Sequence, residues 1–271
     1  MLLIVRRSAI VSFAFLIVIA CRRRQSLLCS PLVPYEIKRG TFQLKSYLPY
    51  FFRIVLTVGL RHFLTEVAMR GAQQMLVFYK ERLAFLAVPK TGTTAYQSAL
   101  RTRADIVIAN PPELKHAPVY RYNRFFRPMF DRVCGVEMET LAVIRHPLSW
   151  LGSWYRYRRR EGMEGHKNST HDVSFDTFVD AYLRGDRPSY ANVGSQLKFL
   201  ETRPNGTGIT FLYKYENQPG LNAFLEERLK VRLNLSRENA SPEMELSLSQ
   251  GTRNKLERKL QQEFELHANA L

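Results

Sequence analysis

Between residues 82 and 271 the hydrophobic pattern switches repeatedly between two periods. Leu83-Ala84-Phe85-Leu86-Ala87-Val88 is an unbroken apolar run of strand length, as expected of a strand buried on both faces. It ends in Pro89-Lys90-Thr91-Gly92-Thr93-Thr94, after which a helix is predicted through Tyr96 and Leu100. Ile106-Val107-Ile108 is a second short strand, closed by Asn110-Pro111-Pro112, and residues 120–130 are aromatic and basic, helical or irregular. Thr140-Leu141-Ala142-Val143-Ile144 is a third strand. It stops at Arg145-His146-Pro147, where Pro147 suits the first turn of a helix carrying Leu148, Leu151, Trp154 and Tyr155. The charged run Arg156–Arg160 at that helix's end reads as a solvated face, and residues 162–172 as a polar loop.

Ser174 is a fitting N-cap for a helix with Phe175, Phe178, Val179 and Tyr182 on one stripe, and Gly185 is its stop. Residues 193–201 form a short helix. Ile209-Thr210-Phe211-Leu212-Tyr213 is a fourth strand, followed by a helix marked by Leu221, Phe224, Leu225 and Leu229. Leu256, Leu260 and Phe264, four apart, mark a last helix. Four strands, each followed by helical pattern, predict a three-layer α/β unit with a mostly parallel sheet.

The front of the chain differs. Residues 1–80 hold 12 Lys and Arg against 2 acidic residues, whereas residues 81–271 hold 28 against 22. The pattern divides the chain into a basic, apolar-helical section at 1–75 and an α/β domain at 76–271. Residues 9–21 form a 13-residue apolar run between Arg6-Arg7 and Arg22-Arg23-Arg24. That is short for a span, which needs about 20 residues. It is open between a short anchor or uncleaved signal, lipidation at Cys21, and an untranslocated or misassigned start. The arginine triplet directly after the run opposes export. These features favour the cytoplasm or the cytoplasmic face of a membrane. Residues 51–72 suit amphipathic helices at a membrane surface or helices packed on the body. No recognition-helix or zinc-finger framework accompanies the basic charge, so nucleic acid is not expected. Three cysteines, Cys21, Cys29 and Cys134, make neither a disulfide framework nor a zinc site.

Two segments carry candidate chemistry. A strand, a turn with glycine, hydroxyls and a lysine, and then a helix aim backbone N–H groups at an anion. Lys90, Thr91, Gly92, Thr93 and Thr94 therefore form a candidate cradle. It is not the triphosphate loop, in which the lysine follows the glycine-rich turn, nor a three-glycine dinucleotide turn. Arg145, ending a strand, and Ser153, eight residues on in the next helix, offer a charged fork and a hydroxyl for a second phosphate.

On these residues the chain resembles the PAPS-dependent sulfotransferases, in particular the bacterial branch related to Golgi carbohydrate sulfotransferases. Residues 89–94 are similar to that family's 5′-phosphosulfate loop, and Arg145-His146-Pro147 with Ser153 to its 3′-phosphate segment. Tyr215-Glu216, Asn239-Ala240-Ser241 and Glu263-Phe264-Glu265-Leu266 resemble later family segments. The likeness covers residues 82–268. It implies a fold like that of P-loop nucleotide kinases and binding of 3′-phosphoadenosine 5′-phosphosulfate (PAPS). It also implies sulfuryl transfer to an acceptor hydroxyl, a carbohydrate or small molecule, with release of PAP and without a metal. It implies a catalytic histidine between the two cradles, and His116 is the imidazole there. His146, Asp131, Glu137 and Glu139 are its rivals for the role of base. An ATP-dependent small-molecule or nucleotide kinase of similar fold and a non-enzymatic basic membrane-surface or nucleic-acid-binding protein are the competing readings.

Overall fold

The computed structural model describes residues 75–204, 206–235 and 244–271. The expectations for the apolar run 9–21, for helices within 51–72, and for Asn239-Ala240-Ser241 lie outside these residues.

Five strands form one mixed sheet: β1 (Met75–Phe78), β2 (Leu83–Phe85), β3 (Ile106–Ile108), β4 (Glu139–Ile144) and β5 (Phe211–Lys214). The spatial order is β3-β1-β2-β4-β5. β2, β4 and β5 pair in parallel, while β1 pairs antiparallel with both β2 and β3. The four strands expected from the pattern are present and point the same way. The fifth, β1, was not expected; it runs against them from the interior of the sheet and makes it mixed rather than mostly parallel. β1 and β2 are joined by the tight turn Tyr79–Arg82.

Side chains alternate across the sheet as the pleat requires. Val77, Ala84, Leu86, Ala142 and Ile144 face a core completed by Tyr122, Phe130, Phe199 and Leu200. Leu76, Phe78, Leu83, Phe85, Leu141 and Val143 face a second core on the opposite side. That core is closed by Tyr96 and Leu100 of α1 (Thr93–Leu100) and by Leu221, Leu225 and Leu229 of α7 (Gln218–Leu229). Both faces are therefore covered, which gives the three layers.

The first of these faces is covered by short pieces. α2 (Pro112–Lys115) and α3 (Val119–Arg121) lead into two π-helical turns, Tyr122–Phe126 and Met129–Val133, and α6 (Gln196–Leu200) packs beside them. A third cluster joins α4 (Pro147–Tyr157), α5 (Phe175–Tyr182) and α8 (Gln250–Lys259) through Trp150, Leu151, Phe178, Tyr182 and Leu256. Ser174 caps α5 as the sequence suggested, its hydroxyl accepting from the Thr177 N–H at 3.1 Å. The single last helix expected from Leu256, Leu260 and Phe264 is instead two. α8 ends before Leu260, whose ψ of 21° breaks the run, and α9 (Gln261–Ala268) starts anew. Among the described residues no helix is long and apolar enough to cross a membrane.

This topology locates the site. From β2 the chain passes through α1 to β3 on one side of the sheet, whereas β4 lies on the other side of β2. The gap beyond the carboxyl ends of β2 and β4 is thus a point where the connections part, the crevice in which open α/β sheets gather ligands. Lys90 and Arg145 leave the sheet at its two sides.

Candidate functional site

The backbone shapes the first cradle. Lys90 (φ 67°) and Gly92 (φ 70°) both take the left-handed conformation, so the loop reverses twice within three residues. The buried Thr91 hydroxyl donates to the Val88 carbonyl at 2.8 Å and pins the turn to the end of β2. Gly92 is required twice over. Its φ suits glycine, and a Cβ there would lie 2.5 Å from Cε2 of Tyr215. Thr93 opens α1 fully buried, and its hydroxyl has no hydrogen-bond partner within the protein. Buried polar groups are normally paired, so this hydroxyl is an exception, but it is closed off from the surface of the loop.

The cations come from three elements. The Lys90 ammonium lies over the rings of Tyr157 (4.2 Å) and Trp154 (5.9 Å) at the end of α4. Burial, then Arg145, Arg160 and Arg156, lower its pKa from 10.5 to about 8. Arg145 continues β4; its guanidinium stacks 4.2 Å from the Tyr215 ring, and its Nη1 points to the Lys90 carbonyl at 3.5 Å. Among the described residues none of these four cations forms an ion pair with a carboxylate. Glu216 bears on Arg145 from a distance, yet the four cations keep an excess of positive charge, which favours an anion between them.

Arg145 is itself held. Its backbone N–H donates to Oε1 of Gln196 at 2.9 Å, and Nε2 of Gln196 donates to its carbonyl at 2.8 Å. The same amide donates to Glu263 (3.0 Å), which is buried in α9 and also accepts from the Ser195 hydroxyl and the Leu197 N–H. Gln196 thereby extends the edge of β4 by one side-chain ladder. Beyond it, Glu216 accepts from the His146 N–H and meets His267, both at 3.0 Å. These contacts join Tyr215-Glu216 and the last helix to the second cradle.

The structure places the remaining candidates, and alters the reading of one charged run. The serine that Arg145 touches is Ser149, which accepts from its Nε at 2.8 Å; Ser153 is buried one turn further along α4. The run Arg156–Arg160 is not a uniform solvated face. Arg156 and Arg160 bear on Lys90, Arg158 binds the carbonyls of Ser189 and Asn192, and Arg159 binds that of Thr170. His146 packs edge-on against Phe264 and His267.

His116 caps α2, and its Nδ1 lies 2.9 Å from the carbonyl of Ala87, three residues before Lys90. A carbonyl accepts only, so Nδ1 carries the proton and Nε2 keeps its lone pair. Burial holds the imidazole below its usual pKa, which keeps it neutral at pH 7. Two rivals are engaged elsewhere. Glu139 pairs with Arg228 at the opposite end of β4, and Asp131 with Arg127 at 2.9 Å.

No protein-family model, curated protein or solved structure matches this chain.

Proposed function

We propose that this chain is a PAPS-dependent sulfotransferase. The observation that carries the reading is the pair of candidate cradles at the parallel ends of β2 and β4, with Lys90, Arg145, Arg156 and Arg160 gathered there and none of them in an ion pair among the described residues. A donor charged at both its 5′ and 3′ ends calls for two separated anion sites on one edge. In this reading residues 90–94 hold the 5′-phosphosulfate, with the first N–H groups of α1 as donors. Arg145 holds the 3′-phosphate with Ser149 or Ser153.

The reaction then needs three things of the chain. The acceptor oxygen forms a bond to sulfur as the bond from sulfur to the 5′-phosphate oxygen breaks, and the electron pair stays on that phosphate. Lys90 stabilises the charge developing there, a contribution made mainly in the transition state. His116, neutral and anchored through Nδ1, takes the acceptor proton at Nε2. The clamp of Gln196 and Glu263 fixes Arg145, so the donor's 3′ end is registered before chemistry.

Titration with PAP, ATP and adenosine 5′-phosphosulfate tests the reading. PAP should bind far more tightly than the other two, and Arg145→Ala should weaken PAP while leaving adenosine 5′-phosphosulfate nearly unchanged. A preference for ATP with Mg²⁺ would replace it by the kinase reading, and binding of none of the three would remove both.

A further inference from the structure

A cavity of about 250 Å³ opens beside the first cradle. Its walls include Val88 and Pro89, the two residues before Lys90, together with Tyr120, Trp150, Val193 and Phe199. Most of the polar groups that reach it are already engaged. The Trp150 indole N–H donates to the Pro89 carbonyl at 2.8 Å, and the Gln196 amide is shared between Arg145 and Glu263. The Ser195 hydroxyl donates to Glu263 and caps α6. Lys198, at the exposed rim, is the one lining cation.

Such a wall selects against a sugar. Each hydroxyl buried there without a partner costs about 1–3 kcal/mol, whereas Tyr120, whose ring also carries the Arg203 guanidinium at 4.3 Å, and the edges of the buried Trp150 and Phe199 offer an apolar wall to another ring. Size agrees with this: an apolar cavity of about 150 Å³ accepts benzene, so about 250 Å³ suits one or two fused rings. The position also agrees. His116 is tied to Ala87, the residue before the lining Val88, and Pro118, two residues after His116, forms part of the wall.

We infer that this cavity is the acceptor site and that the acceptor is an aryl alcohol, its rings among Tyr120, Trp150 and Phe199 and its hydroxyl toward Lys90. The inference rests on the sulfotransferase reading for the chemistry and on the cavity alone for the binding. The aryl O–H loses its proton to Nε2 of His116 as its oxygen bonds to sulfur, and PAP departs with the electron pair. An acidic glycan, which the basic charge of the domain also admits, is not what this wall accommodates.

The full-length protein titrated with 2-naphthol, with methyl β-D-glucoside and with PAP separates the possibilities. 2-Naphthol should bind and the glucoside should not. Val193→Trp, which fills the cavity, should weaken 2-naphthol by about tenfold or more and leave PAP affinity within about twofold. Tyr120→Ala, which removes a wall without adding bulk, should weaken 2-naphthol likewise and covers the case in which Val193→Trp does not fold. Sulfate label carried by PAPS should appear on 2-naphthol and not on the glucoside. If the wild-type protein binds PAP but not 2-naphthol, or if both variants bind 2-naphthol unchanged, the acceptor assignment is overturned while the donor reading stands. If 2-naphthol binds and PAP does not, the donor reading fails and the acceptor role falls with it.

Discussion

Lys90 carries two features that oppose folding. It sits at a φ of 67°, a region costing a non-glycine residue roughly 1–2 kcal/mol, and its ammonium is packed toward three arginines. Strain and like charge persist at a site when the function needs them. The linkage is specific. The folded chain releases the Lys90 proton near pH 8 and the unfolded chain near 10.5. Between those values the unfolded state binds more protons, so this group's penalty is full below about pH 8 and fades as pH rises to 10.5. Lys90→Met should therefore raise the thermal midpoint at pH 7, and the gain should shrink toward pH 10; melting curves at the two pH values check it. The same variant should lose turnover by about 10²–10³-fold, the scale of removing one oxyanion donor, and keep most of its affinity for PAP. His116→Ala should cost about 10²–10⁴-fold in turnover with PAP affinity intact. In the wild type the rate should fall on the acid side as pH drops through a value below 6.5, because burial depresses the imidazole, and on the basic side as Lys90 loses its proton at about pH 8. Of these residues, Lys90, Gly92 and Arg145 were legible because glycine, lysine and a strand-ending arginine are distinctive in sequence. Ser149 was not: it and Ser153 lie on the same helix, and which serine meets Arg145 depends on a guanidinium rotamer that spacing does not encode. Gln196 was equally hidden, since an amide that ladders onto a strand end looks like any helix-start glutamine.

The elements meet through buried polar clamps as much as through apolar faces. Glu263 is the sole carboxylate among the fully described buried residues, and it accepts from Gln196, Ser195 and Leu197. α9 is thereby tied to α6, and α6 to the end of β4. Replacing Glu263 by Leu leaves these donors unpaired, at about 1–3 kcal/mol for each one that stays buried. Urea denaturation should show this loss. PAP affinity should fall as Arg145 loses its register, while binding of adenosine 5′-phosphosulfate should change little. The effect at α9 separates this clamp from a purely apolar dock, which would alter stability alone. Element pattern was readable wherever apolar runs were long and bounded, as in β2, β4 and α7. It failed at β1, whose hairpin lacks the usual Asn-Gly or Asp-Gly turn. The turn is Tyr79-Lys80-Glu81-Arg82, and Arg82 itself takes the left-handed position at φ 53°. With no glycine to mark the reversal, the four residues Met75–Phe78 did not stand out as a strand of their own. The break at Leu260 was concealed in the same way, because a spacing of four continues across it.

At the scale of the molecule, charge and topology make separable demands. The excess of Lys and Arg is concentrated in residues 1–80, but the four cations of the site all lie after residue 89. Donor binding should accordingly not require the basic front section. On the proposed reading it should require β1, at the very end of that section. This strand is wholly buried and stands between β3 and β2, giving hydrogen bonds to both, with Met75 opposite Ile108 and Leu76 opposite Phe85. Without it β3 has no neighbour, and Val77 and Phe78 leave holes in the cores on the two faces of the sheet. Loss of four buried apolar side chains at about 1.5–3 kcal/mol each approaches the whole stability of a domain, about 5–15 kcal/mol. A boundary drawn between residues 75 and 76 would clip the strand, and one drawn at 82, where the motif-bearing pattern begins, would delete it. Two truncated chains follow from this reasoning. One starting a few residues before Met75 should give a cooperative thermal transition and bind PAP as the full chain does. One starting at Arg82 should give neither, as circular dichroism, limited proteolysis and PAP titration would show. Cooperative unfolding of the shorter chain would mean that β2 and β3 are held without β1, and would remove the strand's role in carrying the cradle.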